Sequence, residues 1–293
     1  MSADYVLLDQ YLGKAGIPVG YFPLVGYKLT VNSGSYALTG TSITLKTERK
    51  LAVDTGTFSL TGTSVVFKRS FVLSADSGAF ALNGADITLK AARKLIPNSG
   101  AFSLTGTDIS FKRTYLLAID SGSFGLLGTD AAFKANRKLN LNSGTFEFIG
   151  TDVAFERTYV LIPESGTFSL VGTGINFGRT YILKADSGSF SLIGYDVILH
   201  YTIPLIAESG SFVLTGTPVN FKRTYILSAD TGNFTLTGAS AGLIKGYELL
   251  AEECNFTLIG TDIAFEIARK LSLDSGTYNL TGTDITLNLA HKL

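Results

Sequence analysis

An acidic or amide side chain stands just before a small turn dipeptide in each 22-residue stretch: Asn32, Asp54, Asp76, Asn98, Asp120, Asn142, Glu164, Asp186, Glu208, Asp230, Glu252 and Asp274. Carboxylates ranked at one pitch are what a hard cation such as calcium takes, because it wants several oxygen ligands at once. The same residues have a plainer use. Asp and Asn side chains hydrogen-bond the backbone of a turn, which is why they favour such positions. Three of the column are amides, which dilutes its charge. The turn role is therefore expected, with no metal and no cofactor.

Other reactive types are scarce or scattered. His200 and His291 are the two histidines, and each belongs to a column of unrelated residues. The single cysteine, Cys254, excludes an intrachain disulfide framework and a cysteine-rich zinc site. It replaces a turn glycine in the one irregular unit, which reads as drift in a repeat. No phosphate loop is present. Carboxylate pairs of the kind that cleave glycosides have no specific spacing to support them. The expectation is a protein that is not an enzyme.

Threonine recurs at Thr41, Thr63, Thr107, Thr129, Thr151 and Thr173. Such arrays resemble those of insect ice-binding proteins. Here the partner column gives way to Leu127, Ile149, Val171, Ile193 and Ile259, so the lattice is broken and ice binding is not expected. A polar ladder of Asp86, Asp108, Asp130 and Asp152 beside Lys90, Lys112 and Lys134 reads as a solvated face, its exposed pairs worth about 0–1 kcal/mol each. A further column alternates aromatic and cationic residues: Tyr27, Arg49, Phe71, Arg93, Tyr115, Arg137 and Tyr159. Guanidinium groups between rings of adjacent units would form a cation–π ladder, at about 0.5–1 kcal/mol per exposed contact.

What must position these columns is a repeat. A glycine recurs every 22 residues as Gly40, Gly62, Gly84, Gly106, Gly128, Gly150, Gly172, Gly194, Gly216, Gly238, Gly260 and Gly282, with no insertion or deletion between them. Within one unit, apolar residues pair at a spacing of two: Leu51 and Val53, Phe58 and Leu60, Val65 and Phe67. That is the period of a half-buried strand. Turn signals, Asp-Thr-Gly and Thr-Gly-Thr, separate the pairs. The chain is therefore expected to be all-β, with three short strands per unit. The core columns run through Leu51, Leu73, Leu95 and Leu117, and through Phe58, Phe80, Phe102 and Phe124, while a third column alternates Leu and Phe.

Two folds fit: a parallel β-solenoid of about twelve coils, or an antiparallel meander with Gly-Thr hairpin turns. Strict length favours the solenoid, since an extra residue would spoil a stack but not an open loop. Glycines at two corners are then expected to supply backbone angles that other residues resist. Residues 1–26 depart from the pattern and read as an N-terminal cap or attachment segment; 27–293 are repeats, ending at the start of a thirteenth. The end coils, marked by Tyr5 and Leu7 at one terminus and His291 and Leu293 at the other, would stack head-to-tail between copies, a contact that does not close and so makes filaments.

Composition narrows the partners. Lys+Arg and Asp+Glu both number 24, so no net field draws the chain to nucleic acid or to an anionic membrane. No run of about 18 apolar residues is present for a spanning helix. The first residues lack the basic and apolar regions of a secretory signal. The segments Asp-Ser-Gly-Ser-Phe-Ser-Leu (186–192) and Leu-Thr-Gly-Thr-Asp-Ile (104–109) resemble repetitive β-rich segments of tailed-bacteriophage virion proteins such as fibres. The resemblance covers 27–293 and implies a virion appendage or extracellular filament, made in the cytoplasm and partnered by copies of itself and other virion proteins. The other expectation is a rod that binds host-surface glycans or proteins.

Overall fold

The computed structural model describes residues 25–45, 47–202, 204–244, 246–251, 253–266, 270–273 and 275–288. Tyr5, Leu7, His291 and Leu293, and the expected cap apart from its last two residues, lie outside them. Every strand pair is parallel and joins residue i to residue i + 22. The leucine column shows this without a gap: Leu29 pairs with Leu51, Leu51 with Leu73, and so on to Leu249 with Leu271. The chain is a parallel β-solenoid in which each 22-residue unit makes one turn. Successive coils rise by about 4.8 Å, the spacing of hydrogen-bonded strands. The antiparallel meander is excluded.

One coil shows how the sequence makes the shape. Strands Thr47–Val53, Thr57–Thr61 and Ser64–Phe67 form three faces. On each face two side chains at alternate positions point inward. Leu51, Val53, Phe58, Leu60, Val65 and Phe67 are all at most 1% exposed. These six form one layer of a single continuous core. A lone coil would leave both sides of that layer wet, and stacking covers them. Each fully buried Leu or Phe contributes about 1.5–3 kcal/mol.

The aromatic columns are stacks of rings. Phe146, Phe168 and Phe190 follow one another at 4.8 Å with nearly parallel planes. A second stack, Phe111, Phe133, Phe155 and Phe177, runs beside it at 4.5–4.8 Å. The two stacks meet tilted, as Phe155 and Phe168 do at 6.0 Å and 56°. Offset stacking within a column and tilted contact between columns are the two arrangements that ring quadrupoles favour.

Two expectations are corrected. The short strands merge in the middle of the rod: Ala101–Phe111 and Ser123–Phe133 each span two faces, and Thr145–Pro163 and Thr167–Ala185 take in more. The backbone ladder continues through the corner there, with Gly106 registered on Gly128 and Gly128 on Gly150. The corner glycines also serve a different end from the one expected. Among the described residues only Gly34 has a positive φ, 98°. At most of the other corner glycines the coils meet backbone to backbone; Gly40, where a Cβ would meet nothing nearer than 3.8 Å, does not share this. A Cβ on Gly62 would lie 2.2 Å from the Gly40 carbonyl oxygen, and one on Gly84 would lie 2.3 Å from that of Gly62.

Candidate functional site

The acidic and amide column lies along the first corner, where each coil hands over to the next through its turn. Ser77 donates its backbone N–H to the Asp54 carbonyl at 2.8 Å, and its hydroxyl donates to the same oxygen at 2.9 Å. Ser99 repeats both bonds on Asp76. Side chains of the column bond to each other where an amide follows a carboxylate. Asn98 Nδ2 donates to Asp76 Oδ1 at 2.6 Å, and Asn142 Nδ2 to Asp120 Oδ1 at 2.8 Å. The interleaved amides supply donors that a pure carboxylate column would lack, and they separate like charges. Farther along, Lys184 fills that role, with Nζ 2.6 Å from Glu208 and 2.9 Å from Asp186. Hydrogen bonds to Glu208 and then Asp186 raise the Lys184 pKa above its ordinary value. Among the described residues no group of three His, Cys, Asp or Glu side chains gathers as metal ligands do.

The aromatic and cationic column stands at the start of the first face. Tyr27, Arg49, Phe71 and Arg93 lie within strands of that face; the side chains of Tyr27, Arg49 and Phe71 are outside the described residues. The Arg137 guanidinium lies over the Tyr115 ring, 4.8 Å from its centre, as the alternation implied. Tyr159 and Tyr181 then stack ring on ring at 4.9 Å.

Sequence reading passed over a second such column two residues back. Tyr201 is sandwiched between Arg179 at 5.8 Å and Arg223 at 5.2 Å. The 22-residue spacing of Arg157, Arg179, Tyr201 and Arg223 carried that signal. Between the two columns the chain dips inward. Thr114, Asn136, Thr158 and Thr180 are 0–3% exposed, and their polar side-chain atoms have no hydrogen-bond partner in the protein.

The second corner carries the broken threonine lattice. Leu127, Ile149 and Ile193 are 44–53% exposed there, and Val171 completes the column in register. Beyond them Thr215, Gly216, Thr217, Thr237 and Gly238 line a shallow groove, whose floor is open because glycine has no side chain.

Cys254 occupies the first-corner glycine column and is buried. Burial raises its thiol pKa. Burial and then the neighbouring Cys254 push the Tyr278 hydroxyl up to about 12. The corner ladder opens at this coil: Asn255 N–H reaches the Gly232 carbonyl at 3.3 Å, against 3.0 Å for Asn233 on Gly210. His200 sits in the lysine column of the third corner, where burial and the Lys222 charge lower its pKa.

Protein-family models, curated proteins and solved structures yield no match to this chain.

Proposed function

We propose that this chain is the structural subunit of a fibre or filament, built by end-to-end stacking of copies, and that the fibre is a virion appendage. The observation that supports the reading is the state of the last described coil. Leu280 and Ile285 are 39% and 40% exposed, whereas Leu258 and Ile263, one coil below in the same columns, are 1% exposed. Among the described residues that coil offers apolar side chains and strand edges paired on one side only, of the kind every other coil uses to receive its neighbour. At the other end Tyr36 and Leu38 are only partly buried, while Phe58 and Leu60 above them are covered. Tyr36 belongs to the same column as Tyr278, and Leu38 to that of Leu280, so the first and last described coils present matching columns. A heterologous contact of this sort propagates without closing.

The test is negative-stain imaging and sedimentation of the purified chain beside a Leu280→Lys/Ile285→Lys variant. Long polymers from the native chain and discrete short rods from the variant support the proposal. Equal, discrete particles from both sink it. The alternative is a glycan-binding rod: Tyr159 and Tyr181 cover one face of each other, and Tyr195, 62% exposed, stands outside that stack as a single ring a sugar could use.

A further inference from the structure

From residue 27 onward, every lysine and arginine except Lys184 falls within one five-residue window of the repeat, equivalent to 68–72, at the third corner. Only Glu48, Glu156, Glu248 and Glu266 share that window. Most other acids lie in the first-corner column or in a column that opens the third face, Asp86, Asp108, Asp130 and Asp152 among them. Zero net charge therefore conceals a basic edge and acidic edges running the length of the rod.

The third face carries both signs. Ile87 and Leu89 point into the core, while Asp86, Thr88 and Lys90 point outward at alternate positions. The next two coils repeat the triplet as Asp108, Ser110, Lys112 and Asp130, Ala132, Lys134. Four residues of extended chain put the acidic and basic columns about 13 Å apart. Charges that far apart in one coil do not pair. Among the described residues the ion pairs are Lys134 with Glu156 at 3.6 Å and Lys184 with Asp186 and Glu208. Asp86, Asp108, Asp130, Lys90 and Lys112 take part in none of them.

We propose that this third face docks a second copy of the chain, lying parallel to the first, with a twofold axis along the rods. A half-turn about the long axis brings the second copy's face opposite the first and exchanges its left and right borders. Each aspartate column then meets a lysine column, at both borders at once. The antiparallel alternative keeps left as left and sets acid against acid. Both ladders have the pitch of the coil, so Asp108 of each copy meets Lys112 of the other while the coils above and below do likewise. The small residues along the midline, Thr88, Ser110 and Ala132, let the two sheets approach. The contact is isologous, unlike the end-to-end contact, and it stands whether or not the ends stack.

The test runs in the Leu280→Lys/Ile285→Lys background, so that particle size reports side-by-side pairing alone. Sedimentation at about 20 mM salt should give twice the monomer mass, falling to the monomer at about 500 mM as the charges are screened. Asp86→Lys/Asp108→Lys/Asp130→Lys and Lys90→Asp/Lys112→Asp/Lys134→Asp should each be monomeric, with unchanged circular dichroism. An equimolar mixture of the two should regain the doubled mass. Ser110→Cys lies on the twofold axis, so a short bismaleimide should link it to its own copy; Cys254 is buried and does not compete. A monomer at low salt overturns the proposal, and if that monomer binds heparin the basic edge serves a polyanion instead. Charge-reversed variants that still dimerise alone overturn it as well, as does failure of the position-110 link.

Discussion

Gly128 sits over Gly106 so closely that a methyl group on its α-carbon would lie 2.1 Å from the Gly106 carbonyl oxygen. The obstacle is backbone, held in the inter-coil ladder on both sides, and it cannot swing away as a side chain would. Gly128→Ala should therefore cost at least about 3 kcal/mol of unfolding free energy, as severe overpacking does. Gly34 provides the contrast: it has a positive φ, and a methyl group there would meet nothing within 4 Å. Gly34→Ala should cost only about 1–2 kcal/mol, the strain of a left-handed residue. Urea denaturation of the two variants measures the difference, and equal losses would contradict the close-approach account.

Phe155 is fully buried between Phe133 at 4.5 Å and Phe177 at 4.8 Å. Phe155→Ala should lose about 3–5 kcal/mol, through lost transfer energy and a cavity that stacked neighbours cannot fill. Phe155→Leu should lose much less, because Leu89 and Leu199 occupy the same column in other coils. Calorimetry of both variants tests whether the column tolerates the size change.

Asn136 is 3% exposed, with both its amide nitrogen and its amide oxygen lacking a protein partner. Thr114 and Thr158 flank it in register, so threonine already fits that site. Asn136→Thr leaves one unpaired polar atom where there were two, and should gain about 1 kcal/mol. A raised thermal midpoint is the expected readout.

Tyr278 ionises at about 12 in the fold, above its ordinary value of 10, because burial and Cys254 oppose the phenolate. Below pH 10 the hydroxyl is neutral in both folded and unfolded chains and has no effect. Between pH 10 and 12 the unfolded chain gives up the proton and the folded chain keeps it, so stability falls as pH rises. Tyr278→Phe should flatten that part of the curve. Thermal midpoints between pH 9 and about 12 check the slope.

Deleting residues 123–144 removes one whole unit and joins Gly122 to Thr145, leaving every column in order. That variant should fold, with a loss spread over one coil. Inserting a single residue after Gly128 should be far worse, since a one-residue slip turns each following inward side chain outward. Circular dichroism and denaturation of the pair distinguish the two outcomes.

The leucine and phenylalanine columns were legible because parallel, in-register stacking writes the same side chain at the same interval. The six inward positions of a coil followed from their spacing of two. The reason for the glycines was not legible: a repeated glycine looks the same whether it serves a backbone angle or the approach of another strand. Thr114 and Asn136 were missed because they lie among Arg, Lys and Tyr, where a corner residue reads as exposed. The backbone turns them inward after two outward residues, Lys112 and Arg113 before Thr114, which breaks simple alternation. The Arg179–Tyr201–Arg223 sandwich was hidden by Ala91 and Ala135, which interrupt that column earlier in the chain.

Hydrogen bonds between coils point along the long axis, so a tensile load on the rod is shared among the rungs of one interface and borne in series by successive interfaces. The interface at which Cys254 has displaced glycine, with its corner bond lengthened to 3.3 Å, should therefore part before a neighbour whose corner bond is 3.0 Å.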